Sequence, residues 1–292
     1  MKISNFNKGL IASTSGSFFW GFIGTIYFQY ITFIGVLEVV VHRSIWTCLI
    51  LLITTSIFKK WHKFKKIFLN KKKILILFIT SALIFGNWTV WIYAVSTKKI
   101  IDASFGYFIF PILSVFFGYL FLKEKLNKKR IISILLVILS TIYLLFDLSK
   151  LPWVGIAVAF LWGTYNLLRK KINVETDIGL LIESLFILPL VIFFFYFIVQ
   201  DNQNDFSFSN IGLMGLIFLA GPMTVIPLFL YVKGVELAGL GPSGMVFFIT
   251  PTAQFLLGFF YFNEPFSIEK FIGFILIWIA VFIYLKDLYE NT

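Results

Sequence analysis

The chain has 292 residues, 59% of them hydrophobic and 13% charged, with 38 phenylalanines and a formal net charge of +11. A water-soluble fold of this size has too little interior for so many apolar side chains, and the same composition excludes disorder. At about 20 residues per span, the length holds roughly ten membrane helices and leaves no room for a soluble catalytic domain.

In chain order, apolar runs fall at about 9–30, 35–58, 74–96, 102–122, 130–147, 151–169, 178–199, 210–232, 241–262 and 268–286. They are continuous rather than alternating, which excludes a barrel. Backbone groups in lipid must be satisfied within the segment, so each run is predicted to be a helix. The first run is longer than a signal-peptide core and is expected to be kept as the first span. The single cysteine, Cys48, lies within the second run and reads as a small buried hydrophobe.

The basic residues set the direction. With the N-terminus inside, twenty of the 25 fall in inner segments, chiefly 59–73 and 123–130. Four fall outside (Lys98, Lys99, Lys150 and Lys270), and Arg43 lies within a span. By the positive-inside rule this predicts ten spans with both termini cytoplasmic. The lysine runs read as loops beside the bilayer rather than as a nucleic-acid stripe.

The chain also repeats itself. Phe108-Ile109-Phe110-Pro111 matches Phe248-Ile249-Thr250-Pro251, and each proline is followed by a glycine (Gly118, Gly258) and then a glutamate (Glu124, Glu264) at equal spacing. The same shift sets Arg43-Ser44-Ile45-Trp46 on Glu183-Ser184-Leu185-Phe186, and a nearly equal one sets Phe19-Trp20-Gly21 on Leu161-Trp162-Gly163. Residues 1–147 and 148–292 are thus expected to be two five-helix repeats. Five is odd, so the second enters the membrane from the opposite side. The predicted fold is an all-α membrane protein of ten transmembrane helices in two inverted repeats, a construction typical of secondary transporters.

The duplicated Phe-Trp-Gly or Leu-Trp-Gly and the duplicated Pro-Gly-Glu spacing resemble the EamA-type branch of the drug/metabolite transporter superfamily. Val41-His42-Arg43-Ser44-Ile45-Trp46, Gly86-Asn87-Trp88, Ala103-Ser104-Phe105-Gly106-Tyr107-Phe108, Leu168-Arg169-Lys170-Lys171 and Leu181-Ile182-Glu183 are similar to signatures of its chloramphenicol-sensitivity (RarD) group. The resemblance implies an inner-membrane, ten-helix permease with a central cavity. It also implies peripheral fifth and tenth helices, which offer a surface for a homodimer. It supplies no substrate.

Ionisable residues deep in a span are costly and default to functional candidates. Arg43 suits a substrate carboxylate or phosphate through its fork, and His42 can exchange a proton near neutral pH. Glu38, His42 and Trp46 share one helix face. Glu38 reads either as a wet helix-end carboxylate or, with His42 and Glu183, as a proton-coupling candidate. Arg43 and Glu183 are expected to mark the outer and inner halves of one polar pathway. Trp20, Asn87, Trp88, Trp91, Tyr107, Trp162, Tyr165 and Asn166 form an aromatic and polar set that either lines a cavity or packs. Pro111, Pro227 and Pro251 read as hinges or as packing bends. Glu124 reads as a gate, a hinge or a loop tether.

There is no Walker loop, no metal cluster and no nucleophile elbow, so no catalytic set, metal or cofactor is expected. The expectation is a secondary transporter of a small organic molecule working outward by alternating access in the inner membrane, with His42, Glu38 and Glu183 as the candidates for proton coupling. A lipid-linked intramembrane enzyme is the rival reading. The expected partners are the small-molecule substrate and the lipid bilayer.

Overall fold

The first run forms because small and apolar residues follow a capping serine. Ser4 accepts the Asn7 N–H at 3.2 Å, and helix α1 (Asn5–Phe19) begins there. It continues into a π-helical turn (Trp20–Gly24) and then α2 (Thr25–Tyr30), so the Phe19-Trp20-Gly21 motif lies on a widened turn. The computed structural model describes residues 4–97, 100–145, 153–201, 203–261 and 268–290. Lys98, Lys99, Lys150 and Glu264 lie outside them, as does the side chain of Lys270.

The elements that follow are α3 (Val36–Ile57), α4 (Trp61–Phe68), α5 (Lys71–Ser96), α6 (Ile100–Leu122), α7 (Lys128–Leu145), α8 (Trp153–Ile172) and α9 (Thr176–Gln200). After them come α10 (Ile211–Phe218), α11 (Ala220–Ala238), α12 (Leu240–Val246), α13 (Ile249–Phe260) and α14 (Ile268–Glu290). Among the described residues every element is helical. Each predicted run contains one or two of these helices.

Six stretches are long and apolar enough to cross a membrane: Val36–Ile57, Lys71–Ala94, Thr176–Gln200, Ile211–Ala238, Leu240–Phe260 and Phe271–Glu290, with Gly106–Leu122 a shorter apolar helix. Charge lowers the apolar content of two of the others. Lys128, Lys129 and Arg130 open α7, and Arg169, Lys170 and Lys171 close α8.

Two local readings change. The lysine-rich stretch 59–73, expected as a loop, contains α4, because Phe64 and Ile67 on its inner side pack under α5 and α9. The ninth run divides at Phe247–Phe248, so Pro251 stands in the first turn of α13, where its missing N–H costs little. Pro111 and Pro227, by contrast, sit inside α6 and α11.

Packing follows a regular scheme. α1 lies on α11 and α5 on α8, α3 contacts α9 and α11, and α9 contacts α5. α6 touches α8 and α12, α12 touches α1, and α7 pairs with α14. Small residues permit the closest crossing. A Cβ at Gly234 would stand 2.7 Å from the Ser13 nitrogen, and one at Gly16 would stand 2.9 Å from the Pro227 carbonyl oxygen. On the α7–α14 pair, Ser140 Oγ donates to the Gly273 carbonyl at 2.7 Å.

Candidate functional site

The centre of the molecule is aromatic. Trp162 stacks on Tyr165 with ring centroids 5.3 Å apart, lies 5.5 Å from Tyr231 and meets Trp20 edge-on at 5.7 Å. Phe110 and Phe247 close the cluster, and Tyr107 packs on Phe247 at 5.6 Å. Polar atoms are trapped inside it: Trp162 Nε1, Trp88 Nε1, Tyr231 Oη and Asn166 Oδ1 are buried without a hydrogen-bond partner. Such atoms favour water or a ligand with polar groups over a fully apolar occupant.

Arg43 projects from α3 into this region and is 2% exposed. Its Nε donates to Thr224 Oγ1 at 3.1 Å, and that hydroxyl in turn donates to the Ala220 carbonyl at 2.7 Å. The guanidinium carbon lies 4.7 Å from the Trp88 ring centroid and 5.0 Å from that of Phe28. Among the described residues no carboxylate forms an ion pair with it. Two π faces and a hydroxyl offset only part of the cost of burying a cation.

Glu183, on α9, is treated differently. Its Oε1 accepts from Thr80 Oγ1 at 2.6 Å and its Oε2 from Tyr165 Oη at 3.1 Å. Arg169 Nε stands 3.4 Å from Oε1, with both side chains 2% exposed. Arg169 Nη2 also donates to the Thr176 carbonyl at 3.1 Å. Gly179 makes room for this: a Cβ there would lie 1.8 Å from Arg169 Nη1. Glu183 therefore has a resident cation, drawn from the basic run that closes α8.

His42 points away from Arg43. It stacks on Phe206 at 4.7 Å, meets Phe195 edge-on at 5.5 Å and stands 3.7 Å from Glu38. Glu38 is buried rather than wet. Its Oε1 accepts the backbone N–H groups of Asp205 and Phe206 at 2.8 and 3.1 Å, tying the α9–α10 loop to the start of α3. Desolvation, together with the Glu38 charge, raises the Asp205 pKa above its ordinary value. The structure brings Glu38, His42 and Trp46 into one cluster around Phe206, apart from the aromatic centre.

Asn87 joins α5 to α8 by donating to the Val158 carbonyl at 3.0 Å, and Trp91 packs on Phe28 at 5.4 Å. Asn166 Nδ2 donates to the Trp162 carbonyl at 2.8 Å. Glu124 caps α12, accepting the N–H groups of Leu240 and Gly241 at 2.7 and 2.9 Å, which is a tether between the α6–α7 segment and the second half.

Two openings flank the centre. A cavity of about 230 Å³ is lined by Arg169, Lys170, Thr176, Val235 and Glu236 among others, and a crevice of about 30 Å³ lies against Phe28, Thr32 and Ile92. Sequence reasoning missed Arg169, Thr80, Thr224 and Tyr231. One signal was available: the chain has three arginines against 22 lysines, and two of the three are buried in helices.

Comparison with known proteins agrees with a membrane carrier. Residues 7–146 and again 151–286 match the EamA-like transporter family. The chain is 30% identical over 280 residues to Protein RarD of Escherichia coli strain K12, covering 96% of this chain and 94% of that one. It is 32% identical over 287 residues to the uncharacterized transporter YojE of Bacillus subtilis strain 168, covering 97% and 95%. A crystal structure at 14% identity superposes with a TM-score of 0.68, covering 94% of this chain and 96% of that one, and so shares the fold. Two family matches spanning nearly the whole length, on a multi-pass helical body with buried charge at its centre, make the chain a member of the EamA-like transporter family, akin to its RarD proteins.

Proposed function

We propose that the protein is a secondary transporter that moves a small organic molecule bearing a carboxylate or phosphate outward across the inner membrane by alternating access. The observation that carries this reading is Arg43, a buried cation that touches Thr224 of α11 and Trp88 of α5 and has no carboxylate partner among the described residues. A membrane-buried guanidinium without a counter-ion is costly, and an anionic substrate would supply one.

The ten-span, inverted-repeat reading is part of the proposal. Exchanging the halves maps α1–α11 onto α5–α8 and α3–α11 onto α5–α9, while α3–α9, α6–α12 and α7–α14 map onto themselves; all these pairs pack. Arg43 of α3 bonds Thr224 of α11 as Glu183 of α9 bonds Thr80 of α5. Pairings also respect the expected sides. Lys60 meets Glu175 and Asp177, Arg130 meets Asp287 and Glu124 meets Leu240, all at segments assigned inside, while Glu38 meets Asp205 at segments assigned outside.

Proton coupling, if present, falls to Glu183 in this reading, because Glu38 and His42 close the outer loop. Counterflow in proteoliposomes, with a panel of labelled organic acids and neutral analogues, tests the proposal. Exchange of an acid should occur and should fall at least tenfold in Arg43→Gln. Exchange of neutral analogues alone, or full exchange in a well-inserted Arg43→Gln, refutes it.

A further inference from the structure

A second buried arginine, Arg169, stands in the last turn of α8, at a segment assigned inside. Arg169 is 4% exposed and lines the 230 Å³ cavity with Lys170 and Thr176. Its ion pair with Glu183 is loose, at 3.4 Å without hydrogen-bond geometry at Nε, and Nη1 is buried with no hydrogen-bond partner. Nη2 donates to the Thr176 carbonyl, and the Tyr165 hydroxyl lies close to the guanidinium.

The cavity lining carries two cations, Arg169 and Lys170, against one carboxylate. Its carboxylate, Glu236, is already engaged: it accepts from the N–H and hydroxyl of Thr176 and pairs with Lys233. Lys170 donates to the Glu236 carbonyl at 2.6 Å and stands at the cavity wall. Helix α9 starts at Thr176, so its partial positive end adds to the same field.

We propose that this cavity is an oxyanion-binding vestibule on the inner side, with Arg169 as its anchoring cation. The acidic group of the transported molecule competes there with Glu183 for the guanidinium. The inference rests on the carrier reading and extends it, because the carrier then offers its anionic cargo one arginine on each side of the aromatic centre. Arg43 serves one side and Arg169 the other. A guanidinium suits this exchange, since its fork can hold a carboxylate or phosphate in place of Glu183 while Nη2 stays on backbone.

Only three arginines occur in the chain, so an arginine-directed reagent reads the site directly. The full-length protein in liposomes would be treated with phenylglyoxal, and adducts at Arg43, Arg130 and Arg169 quantified by peptide mass spectrometry. Inorganic phosphate, benzoate and chloride would be compared at constant ionic strength. Phosphate or benzoate should slow modification of Arg169 at least fivefold and saturably, chloride should not, and Arg130, held by Asp287, should be unaffected.

Whichever anion protects identifies the class of acid. In Glu183→Gln the protecting anion should act at a concentration at least threefold lower, because its competitor has been neutralised. A purely structural Arg169 predicts neither effect. No modification of Arg169, equal slowing by chloride, or protection unchanged in Glu183→Gln overturns the proposal. Binding is read here without turnover, so Arg169-specific protection in a chain that exchanges nothing would remove the carrier reading and leave the vestibule.

Discussion

At the scale of single residues, the buried charges differ in how they are offset. Glu183 has a cation and two hydroxyls, whereas Arg43 has one hydroxyl and two rings. Gly179 makes the difference testable. In a helix interior, Gly→Ala is ordinarily stabilising by about 0.5–1 kcal/mol through backbone entropy. Here the methyl would push the Arg169 guanidinium off Glu183 and off the Thr176 carbonyl, a loss of about 1.5–3 kcal/mol for hydrogen bonds to a charged group. The second effect is larger, so Gly179→Ala should lower the thermal midpoint in detergent, and a raised midpoint would contradict the contact. Arg43 and Glu183 were legible from the sequence because charge inside an apolar run stands out. Arg169 was not, since Lys170 and Lys171 beside it made it look like the end of a span. The separation of His42 from Arg43 was equally hidden: adjacent positions on a helix point about 100° apart, and only the neighbours decide which faces the centre.

At the scale of elements, hydropathy located the helices but not their interruptions. The π-helical turn at Trp20–Gly24 and the division before α13 depend on close crossing. A Cβ at Gly21 would lie 2.6 Å from Ala253 Cβ, a contact between residues far apart in sequence that no local pattern encodes. Helix α4 was missed for a related reason. Its lysines dominate the composition, while Phe64 and Ile67 acquire meaning only against α5 and α9. The same element docks through charge, with Lys63 and Lys60 reaching Glu175 at the start of α9. Hydrogen bonding from Lys63, together with the nearby Lys60 charge, holds the Glu175 carboxyl below its usual 4.5 despite some desolvation. A depressed acid stabilises the fold above its unfolded pKa, and that contribution fades as pH falls through the folded value. Glu175→Gln should therefore cost up to about 1 kcal/mol at neutral pH, as for other partly exposed pairs. The difference from the parent protein should vanish in melting curves taken well below pH 4.5, and a gap that widens on acidification would count against the pairing.

At the scale of the whole molecule, the proposed topology draws on charge and on packing, two independent routes. The distribution of lysines concerns the loops alone, whereas the helix pairing that survives exchange of the halves concerns the spans. An inverted pair of five-helix units satisfies both, because an odd number of crossings makes matching segments of the two halves face opposite sides. Single cysteines introduced in a Cys48→Ala background would read this out. Lys66 and Lys125 are exposed at segments assigned inside, and Thr97 and Ser209 at segments assigned outside. An impermeant maleimide applied to intact cells should label cysteines at Thr97 and Ser209 and spare those at Lys66 and Lys125, with the pattern reversed in inside-out vesicles. The informative position is Ser209: an even number of spans per half would leave the two repeats parallel and move it to the inside. External labelling at both Thr97 and Ser209 places the Glu38 cluster at the outer surface and the Arg169 cavity at the inner one. That is the geometry in which a carrier can present its two arginines to opposite sides in turn.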